Sequence, residues 1–141
     1  MKKAVIISLL IVLTFMAASA AAAILYVPSV YPTIQAAVTA ASPGDEIIVA
    51  AGSYGEIVTI DKALTLRSSA GAASTVLNGG ITVSANNVTI EGFTVNDGAS
   101  MGENAGIYIV ASTSGHTIIG NILNLCDLIR AIILLPVTLC R

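Results

Sequence analysis

Charge is scarce in this sequence, and so are the residue types that usually build catalytic or metal sites. Of 141 residues only 10% are charged, one is histidine, two are cysteine and none is tryptophan. The formal net charge is -2, and the six basic residues form no stripe and alternate with no aromatic residues. This excludes the electrostatic pattern of nucleic-acid binding, so we predict no nucleic-acid partner.

The cysteines carry no metal-binding or redox motif. Cys126 and Cys140 lie near the C-terminal end, and neither belongs to a CxxC motif or to a Cys/His cluster with metal-ligand spacing. We therefore interpret both as incidental thiols and predict no metal site. Apolar residues make up 55% of the chain, which excludes a disordered composition and indicates a single ordered domain.

The N-terminus has the three parts of an export signal. Lysines at positions 2 and 3 precede an apolar stretch over residues 4–16, and small residues at 18–20 suit signal peptidase. An alternative is a membrane anchor, because residues 4–27 carry no charge and are long enough to cross a bilayer. Both hypotheses place the remaining chain outside the cytoplasmic membrane. We predict a secreted, periplasmic or cell-surface protein that contacts the membrane only through this segment.

Several bonds in the alanine run meet the requirements of signal peptidase. Cleavage after Ala20 is our first prediction, and cleavage after Ala22 or Ala23 is chemically equivalent. We assign residues 1–23 to the signal peptide and residues 24–124 to the folded domain.

A short helix is predicted near the start of this domain, over residues 33–41. Apolar side chains follow the i, i+3, i+4, i+7 spacing of one helix face from Ile34 to Ala41, and a Ser-Pro-Gly-Asp turn at 42–45 ends the pattern. A helix of two or three turns is not stable alone, so its apolar face must dock on the domain.

From residue 46 onward the sequence consists of short β-branched runs separated by Gly, Asn, Asp and Ser, which is typical of strands and turns. The predicted strands comprise residues 47–49, 57–60, 63–66, 75–77, 81–83, 88–90, 93–95, 107–110 and 116–119. Equivalent positions recur 24 residues apart in the pairs Ile57–Ile81, Leu64–Val88 and Leu66–Ile90, and 28 residues apart between 89–92 and 117–120. Such a period, made of strand, turn and strand, is typical of one coil of a β-solenoid.

Stacked coils pair their short strands in parallel and pile their inward side chains into one apolar column. The predicted helix would cover the open edge of the first coil. The fold class that follows is all-β, a parallel β-helix of about four short coils with an N-terminal capping helix.

Asparagines at positions 86, 87, 96, 121 and 124 fall at predicted strand ends. Asparagine tolerates the left-handed backbone of a sharp corner, so we interpret these residues as turn formers. Contact with a sugar is the alternative.

The order of these motifs resembles a known family. The resemblance rests on the segments YPTIQAAV at 31–38, SPGDEIIV at 42–49, GSY at 52–54, IVTIDKALTL at 57–66 and NVTIEGF at 87–93. Together they are similar to the opening of pectin-lyase-like proteins, which include NosD-type copper-binding proteins and many surface proteins. The resemblance covers residues 28–124 and implies a right-handed parallel β-helix. It implies no single function, since the family spans lyases, hydrolases, epimerases and adhesins.

The catalytic patterns of that family are not matched. His116 has no accompanying pair of aspartates, and Arg67 and Arg130 stand apart from any cluster of acids. A single histidine also disfavours a copper site. We therefore predict no catalytic residues, no metal and no cofactor.

The longest interruption between predicted strands, residues 96–104, holds the candidate ligand-binding residues. Loops that project from a rigid solenoid commonly carry function. Asp97 and Glu103 could share a cation or contact a sugar, with Asn104 beside them. The alternative is a solvated polar connection.

After Asn124 the repeat pattern stops. Residues 125–141 hold no glycine and no asparagine and form an atypical C-terminal tail, interpreted as a cap helix over 127–135 or as the product of a frameshift or truncation. We favour the second interpretation, because the outer face of a terminal cap should be polar. An open solenoid end would then be available for self-association.

The functional hypothesis is a noncatalytic secreted or cell-surface scaffold that contacts glycans, neighbouring surface proteins or other cell-envelope components. It rests on an export signal followed by repeats that carry no assembled acid, base or metal set. One alternative is the N-terminal fragment of a polysaccharide lyase or glycoside hydrolase whose catalytic coils lie beyond residue 124. Another is a nonfunctional fragment of a longer surface gene.

Overall fold

The computed structural model describes residues 21–96 and 106–124, which form one short helix and twelve short strands. The helix, α1, comprises Ile34–Ala40. The strands are β1 (Ile24–Val27), β2 (Glu46–Val49), β3 (Gly52–Tyr54), β4 (Val58–Ile60), β5 (Thr65–Ser68), β6 (Thr75–Asn78), β7 (Ile81–Val83), β8 (Thr89–Glu91), β9 (Thr94–Asn96), β10 (Ile107–Ile109), β11 (Thr117–Ile119) and β12 (Ile122–Asn124).

The strands form three sheets in which every pair is parallel. A five-stranded sheet has the order β1-β2-β5-β8-β11, a four-stranded sheet β12-β9-β6-β3 and a three-stranded sheet β10-β7-β4. From β2 onward the chain visits the five-, four- and three-stranded sheets in the same order on each coil. This is a right-handed parallel β-helix, and the predicted all-β fold class is confirmed.

The core consists of columns of inward side chains, one from each coil. In the five-stranded sheet, Leu25, Ile47, Leu66 and Ile90 occupy one register position, and the last three are fully buried. Burial of one such side chain contributes about 1.5–3 kcal/mol. Stacking therefore supplies the apolar burial that strands of three or four residues cannot obtain alone.

The predicted spacings are confirmed in the five-stranded sheet. Leu66 pairs with Ile90, 24 positions later, and Ile90 pairs with Ile118, 28 positions later. The coils are nevertheless unequal, since Val76 of the four-stranded sheet pairs with Thr94, only 18 positions later. Turn length varies from coil to coil while the strands stay in register.

The predicted pairing of Ile57 with Ile81 is wrong. Ile81 pairs with Val58, and Ile57 is 38% exposed, whereas Val58 and Ile60 are fully buried. A shift of one residue moves every side chain of a strand to the opposite face, so burial of Val58 and Ile60 together fixes the register.

β1 begins directly after the alanine run. Ile24–Val27, which the membrane-anchor hypothesis included, pair along their whole length with β2 and belong to the five-stranded sheet. Among the residues that the structure describes, no helix is long and apolar enough to cross a membrane.

Besides β1, two strands were not predicted from the sequence, β3 and β12. β3 contains Gly52 and Ser53, which have little strand propensity, and it is held by pairing with β6. β12 lies where the repeat pattern ends, and it pairs with β9.

Helix α1 docks on the first coil, as its amphipathic pattern predicts. Ile34, Ala37 and Val38 are fully buried, and the side-chain amide of Gln35 pairs with the backbone of β4. The Gln35 Oε1 atom accepts the N–H of Thr59 at 2.7 Å, and Nε2 donates to the Thr59 carbonyl at 3.4 Å. The helix thus covers the outer edge of the three-stranded sheet, and the predicted N-terminal cap is confirmed.

Two charged side chains of the first complete coil hold the ends of α1. The Glu56 carboxylate accepts the first two backbone N–H groups of the helix, both at 2.9 Å. The Lys62 ammonium donates to three carbonyl oxygens of the last turn at 3.0–3.1 Å. A negative charge at the N-terminus and a positive charge at the C-terminus are the arrangement that the helix dipole favours.

One buried carboxylate joins β1 to the turn before β2. Asp45 is only 7% exposed, and its two oxygens accept the N–H groups of Ala23 at 2.8 Å and Ser42 at 2.7 Å. The bond from Ser42, followed by that from Ala23, lowers the pKa of Asp45 below its usual range, against a smaller opposing effect of burial.

Replacement of Ile60 by alanine should lower the free energy of unfolding by about 2–5 kcal/mol, because it leaves a cavity at a fully buried position. The same replacement at the exposed Ile57 should lower it by less than about 1 kcal/mol. Urea unfolding of the two variants measures the difference. A larger loss at Ile57 would contradict the observed register.

Asp45→Asn should lower the melting temperature at neutral pH, because the amide replaces an oxygen that accepts a backbone N–H. The lowered pKa of Asp45 means that its stabilising effect is present above the unfolded value of about 4 and is lost as pH falls through the folded value. The melting temperatures of wild type and variant should therefore converge between pH 7 and pH 2. Parallel curves over this range would show that the carboxylate does not contribute as described.

Candidate functional site

The ligand-binding residues predicted from sequence, Asp97, Glu103 and Asn104, lie in residues 97–105, outside the described part of the chain. Their proposed role stays a prediction. The flanking positions are known: Asn96 ends β9 in the four-stranded sheet, and β10 of the three-stranded sheet begins at Ile107. Residues 97–105 therefore connect these two sheets along the chain.

Among the described residues the sheet with the most strands is the five-stranded one, and its outer side is called the outer face below. Strand alternation places two parallel rows of side chains on it. By register, the first row is Ile24, Glu46, Thr65, Thr89 and Thr117, and the second is Tyr26, Ile48, Arg67, Glu91 and Ile119. With strands about 4.8 Å apart, the five strands span about 19 Å.

Three charged side chains lie at the middle of the outer face. Arg67 Nε donates to Glu46 Oε1 at 2.7 Å, and Glu91 is the register partner of Arg67 on the next strand. The hydrogen bond to Glu46 and the charge of Glu46 raise the pKa of Arg67, and the charge of Glu91 adds to this effect. The trio carries a net charge of -1, so the cation is already compensated within the protein.

The two carboxylates of the trio do not form an acid–base pair of the glycosidase type. A general acid at neutral pH needs a carboxyl group that is shielded from water or faces another carboxylate. Glu46 instead hydrogen bonds Arg67, and Glu91 is exposed with Arg67 as its register partner. The arrangement can orient a polar ligand.

The five asparagines interpreted as turn formers have different roles, and Asn86 accepts the N–H of Ser114 in the next coil through its Oδ1 atom at 2.8 Å. Asn87 has a positive φ of 56°, which confirms the predicted turn role at that position. Asn96 and Asn124 instead form a ladder with Asn78, in which each side-chain amide donates to the one before it at 2.6 and 2.9 Å. The ladder continues to Ser53 on β3, and it lies on the exposed side of the four-stranded sheet.

Asn121 is neither a turn former nor available to a ligand. It is 9% exposed; its Oδ1 atom accepts the N–H of Phe93 at 2.9 Å, and its Nδ2 atom donates to the carbonyl of Ile90 at 2.9 Å. The side chain thus satisfies two backbone groups of the preceding coil. Sequence alone offered no signal for this role, because it depends on how one turn stacks on the next.

His116 forms a hydrogen bond within its own turn. Its Nε2 atom lies 3.0 Å from Thr113 Oγ1, and its buried Nδ1 atom has no hydrogen-bond partner among the described residues. Within residues 21–96 and 106–124, no group of three or more His, Cys, Asp or Glu side chains could hold a metal ion.

The fold is a right-handed parallel β-helix of the pectin-lyase-like type, and comparison with solved structures agrees with it. The chain is similar to a crystal structure of pectin methylesterase in complex with hexasaccharide VII, with a TM-score of 0.57 and 16% identity over 73% of this chain and 44% of that chain. It is also similar to a crystal structure of a pectin methylesterase mutant in complex with hexasaccharide IV, with a TM-score of 0.51 and 15% identity over 73% of this chain and 47% of that chain. This chain therefore spans less than half the length of either enzyme.

The likeness establishes the fold, and the predicted resemblance is confirmed at that level. No protein-family model matches the sequence, and no curated protein matches it.

Asn121→Ala should lower the free energy of unfolding by about 2–4 kcal/mol, because two buried backbone groups lose their partner. Asn124→Ala removes only the exposed end of the ladder and should cost less than about 1 kcal/mol. Denaturant unfolding of the two variants provides the comparison, and equal losses would show that Asn121 does not bridge the coils.

Proposed function

We propose that this protein is an exported, noncatalytic scaffold whose outer face binds uncharged glycans. The observation that carries the proposal is the composition of that face: two rows of side chains that include a tyrosine, a row of threonines and an ionic trio in which Arg67 is already paired. Such a face offers hydroxyl groups and apolar area but no assembled catalytic set. The pectin methylesterases of the same fold were crystallised with hexasaccharides, which supports a carbohydrate as the ligand class.

The ionic trio favours an uncharged ligand over a polyuronate. An acidic polysaccharide is best held by arginine forks that are free to form bidentate bonds with carboxylates. Arg67 is already hydrogen bonded to Glu46, and Glu91 leaves the local charge negative. Glu46 and Glu91 retain acceptor oxygens that can receive hydrogen bonds from sugar hydroxyls.

Tyr26 is the aromatic side chain of the outer face. It is 45% exposed at the first strand of the sheet, beside Ile48 in the same row and next to Ile24, which is 51% exposed. A tyrosine offers a rigid apolar ring and one polar hydroxyl, which suits a ligand with alternating apolar and polar surface. The threonine row Thr65, Thr89 and Thr117 lies further along the face.

A second candidate function is that the chain is the N-terminal part of a polysaccharide-active enzyme. The observation in its favour is that the chain spans under half the length of the two pectin methylesterases whose fold it shares. The catalytic residues would then lie among residues 97–105 or beyond residue 124.

Tyr26→Ala should weaken binding to an uncharged polysaccharide at least tenfold, a loss of about 1.4 kcal/mol. Tyr108→Ala is the matched control, because Tyr108 is 41% exposed but lies on the three-stranded sheet, away from the outer face. Affinity electrophoresis against a panel of neutral and acidic polysaccharides measures both. Equal weakening by the two variants, or retention only on acidic gels, would contradict the proposal.

The same preparation distinguishes scaffold from enzyme. The scaffold should leave a panel of polyuronates and neutral glycans intact, as shown by reducing-end assay and by absorbance of unsaturated products. Depolymerisation that is abolished in Asp97→Ala would overturn the noncatalytic assignment and favour the second candidate.

A further inference from the structure

Asn87 begins an Asn-x-Ser/Thr motif, Asn87-Val88-Thr89. The other six asparagines of the sequence have no serine or threonine two positions later. In exported proteins this motif is the acceptor of N-linked glycans, provided that the middle residue is not proline and that the asparagine lies on the surface. Asn87 is therefore the position at which surface exposure has a chemical consequence.

The fold places Asn87 on the surface, in the turn between β7 and β8. Its side chain is exposed, and its φ is 56°. This turn stacks on the turn between β10 and β11, because the Asn87 N–H donates to the Ser114 carbonyl at 2.9 Å. The residues of the two turns, 84–86 and 111–115, are Ser, Ala, Asn, Thr and Gly only. Neither turn therefore places a long side chain over Asn87, and a bulky substituent has room.

The side-chain amide of Asn87 is also uncommitted. The other asparagines of the described coils each form a hydrogen bond through the side-chain amide: Asn78, Asn86, Asn96, Asn121 and Asn124. The Asn87 amide forms none with any residue in 21–96 or 106–124. Its oxygen lies against Gly115, where a Cβ atom would collide with it. Replacement of an Nδ2 hydrogen by a sugar therefore breaks no hydrogen bond of the described fold.

We propose that Asn87 is an N-glycosylation site, with a lipid-diphosphate-linked oligosaccharide as the sugar donor. The inference rests on the proposed export of the protein. In the transfer, the Asn87 Nδ2 atom forms a bond to the anomeric carbon of the first sugar, and the bond from that carbon to the diphosphate oxygen breaks. The lipid diphosphate leaves with the electron pair, and the amide nitrogen releases one proton to solvent.

The first experiment expresses the full chain in a eukaryotic secretory host and compares its intact mass before and after treatment with peptide-N-glycosidase in heavy-oxygen water. The secreted protein should carry one glycan, and its removal should leave a heavy-oxygen aspartate at position 87, located by peptide mass spectrometry. A protein that is secreted without a glycan overturns this inference and leaves the proposed export standing. A chain that is retained in the cytosol without a glycan overturns both, so the two failures are distinguishable.

Two substitutions at Thr89 provide a matched pair, because they leave Asn87 and its turn unchanged. Thr89→Ser keeps the hydroxyl group of the motif and should keep the glycan. Thr89→Val keeps the β-branched shape that suits β8 but lacks the hydroxyl group, so it should be secreted without a glycan. A glycan that persists in Thr89→Val would show that the attachment site is not the motif at Asn87.

Thermal melting tests whether the folded turn accommodates the glycan. The glycosylated protein and its enzymatically deglycosylated form should melt within about 4 °C of each other, because aspartate, like asparagine, tolerates a positive φ. A glycosylated form that melts further below the deglycosylated one would show that the sugar is forced against the neighbouring coil. That result would overturn Asn87 as a site that the fold leaves open.

Discussion

The strands in the described part of this β-helix are three or four residues long, and no pair of such strands is stable in isolation. Parallel pairing with the coil on either side is the interaction on which the rest of the structure depends. It satisfies the backbone of each strand, and it also aligns inward residues such as Ile47, Leu66 and Ile90 into one buried column. Register matters more than coil length, which is why spacings from 18 to 28 residues coexist in one solenoid.

The first coil of the stack leaves the backbone of its outer strand without a neighbouring strand. In this protein α1 covers the edge at β4, and polar side chains of the helix and of the coil hold the two together. The side-chain amide of Gln35 forms hydrogen bonds with both backbone groups of Thr59, as a neighbouring strand would. Glu56 and Lys62 fix the two ends of α1 with charges of the sign that the helix dipole favours. Glu56 and Lys62 are two of the 14 charged residues of the chain, so part of its scarce charge has a structural role.

The stacking of the coils divides the polar side chains into two groups. Some use their hydrogen-bonding groups within the protein, and others remain in contact with solvent. Asn121 is committed to two backbone groups, and Asp45 to the turn before β2. The outer face keeps Tyr26, the threonine row and the trio around Arg67 in contact with solvent. The binding proposal uses the second set because these side chains retain unused hydrogen-bonding capacity or exposed apolar area.

The sequence by itself determined the fold class, the capping helix and the position of most strands, because alternation and a recurring spacing are local patterns that survive without coordinates. It misplaced Ile57, missed β1 behind an alanine run and gave no hint that Asn121 bridges two coils. Only the tertiary structure decided these points, and it alone assembled the outer face from five strands far apart in the chain. The physical reason is that register, burial and hydrogen-bond partners are properties of contacts between coils, which no single stretch of sequence contains.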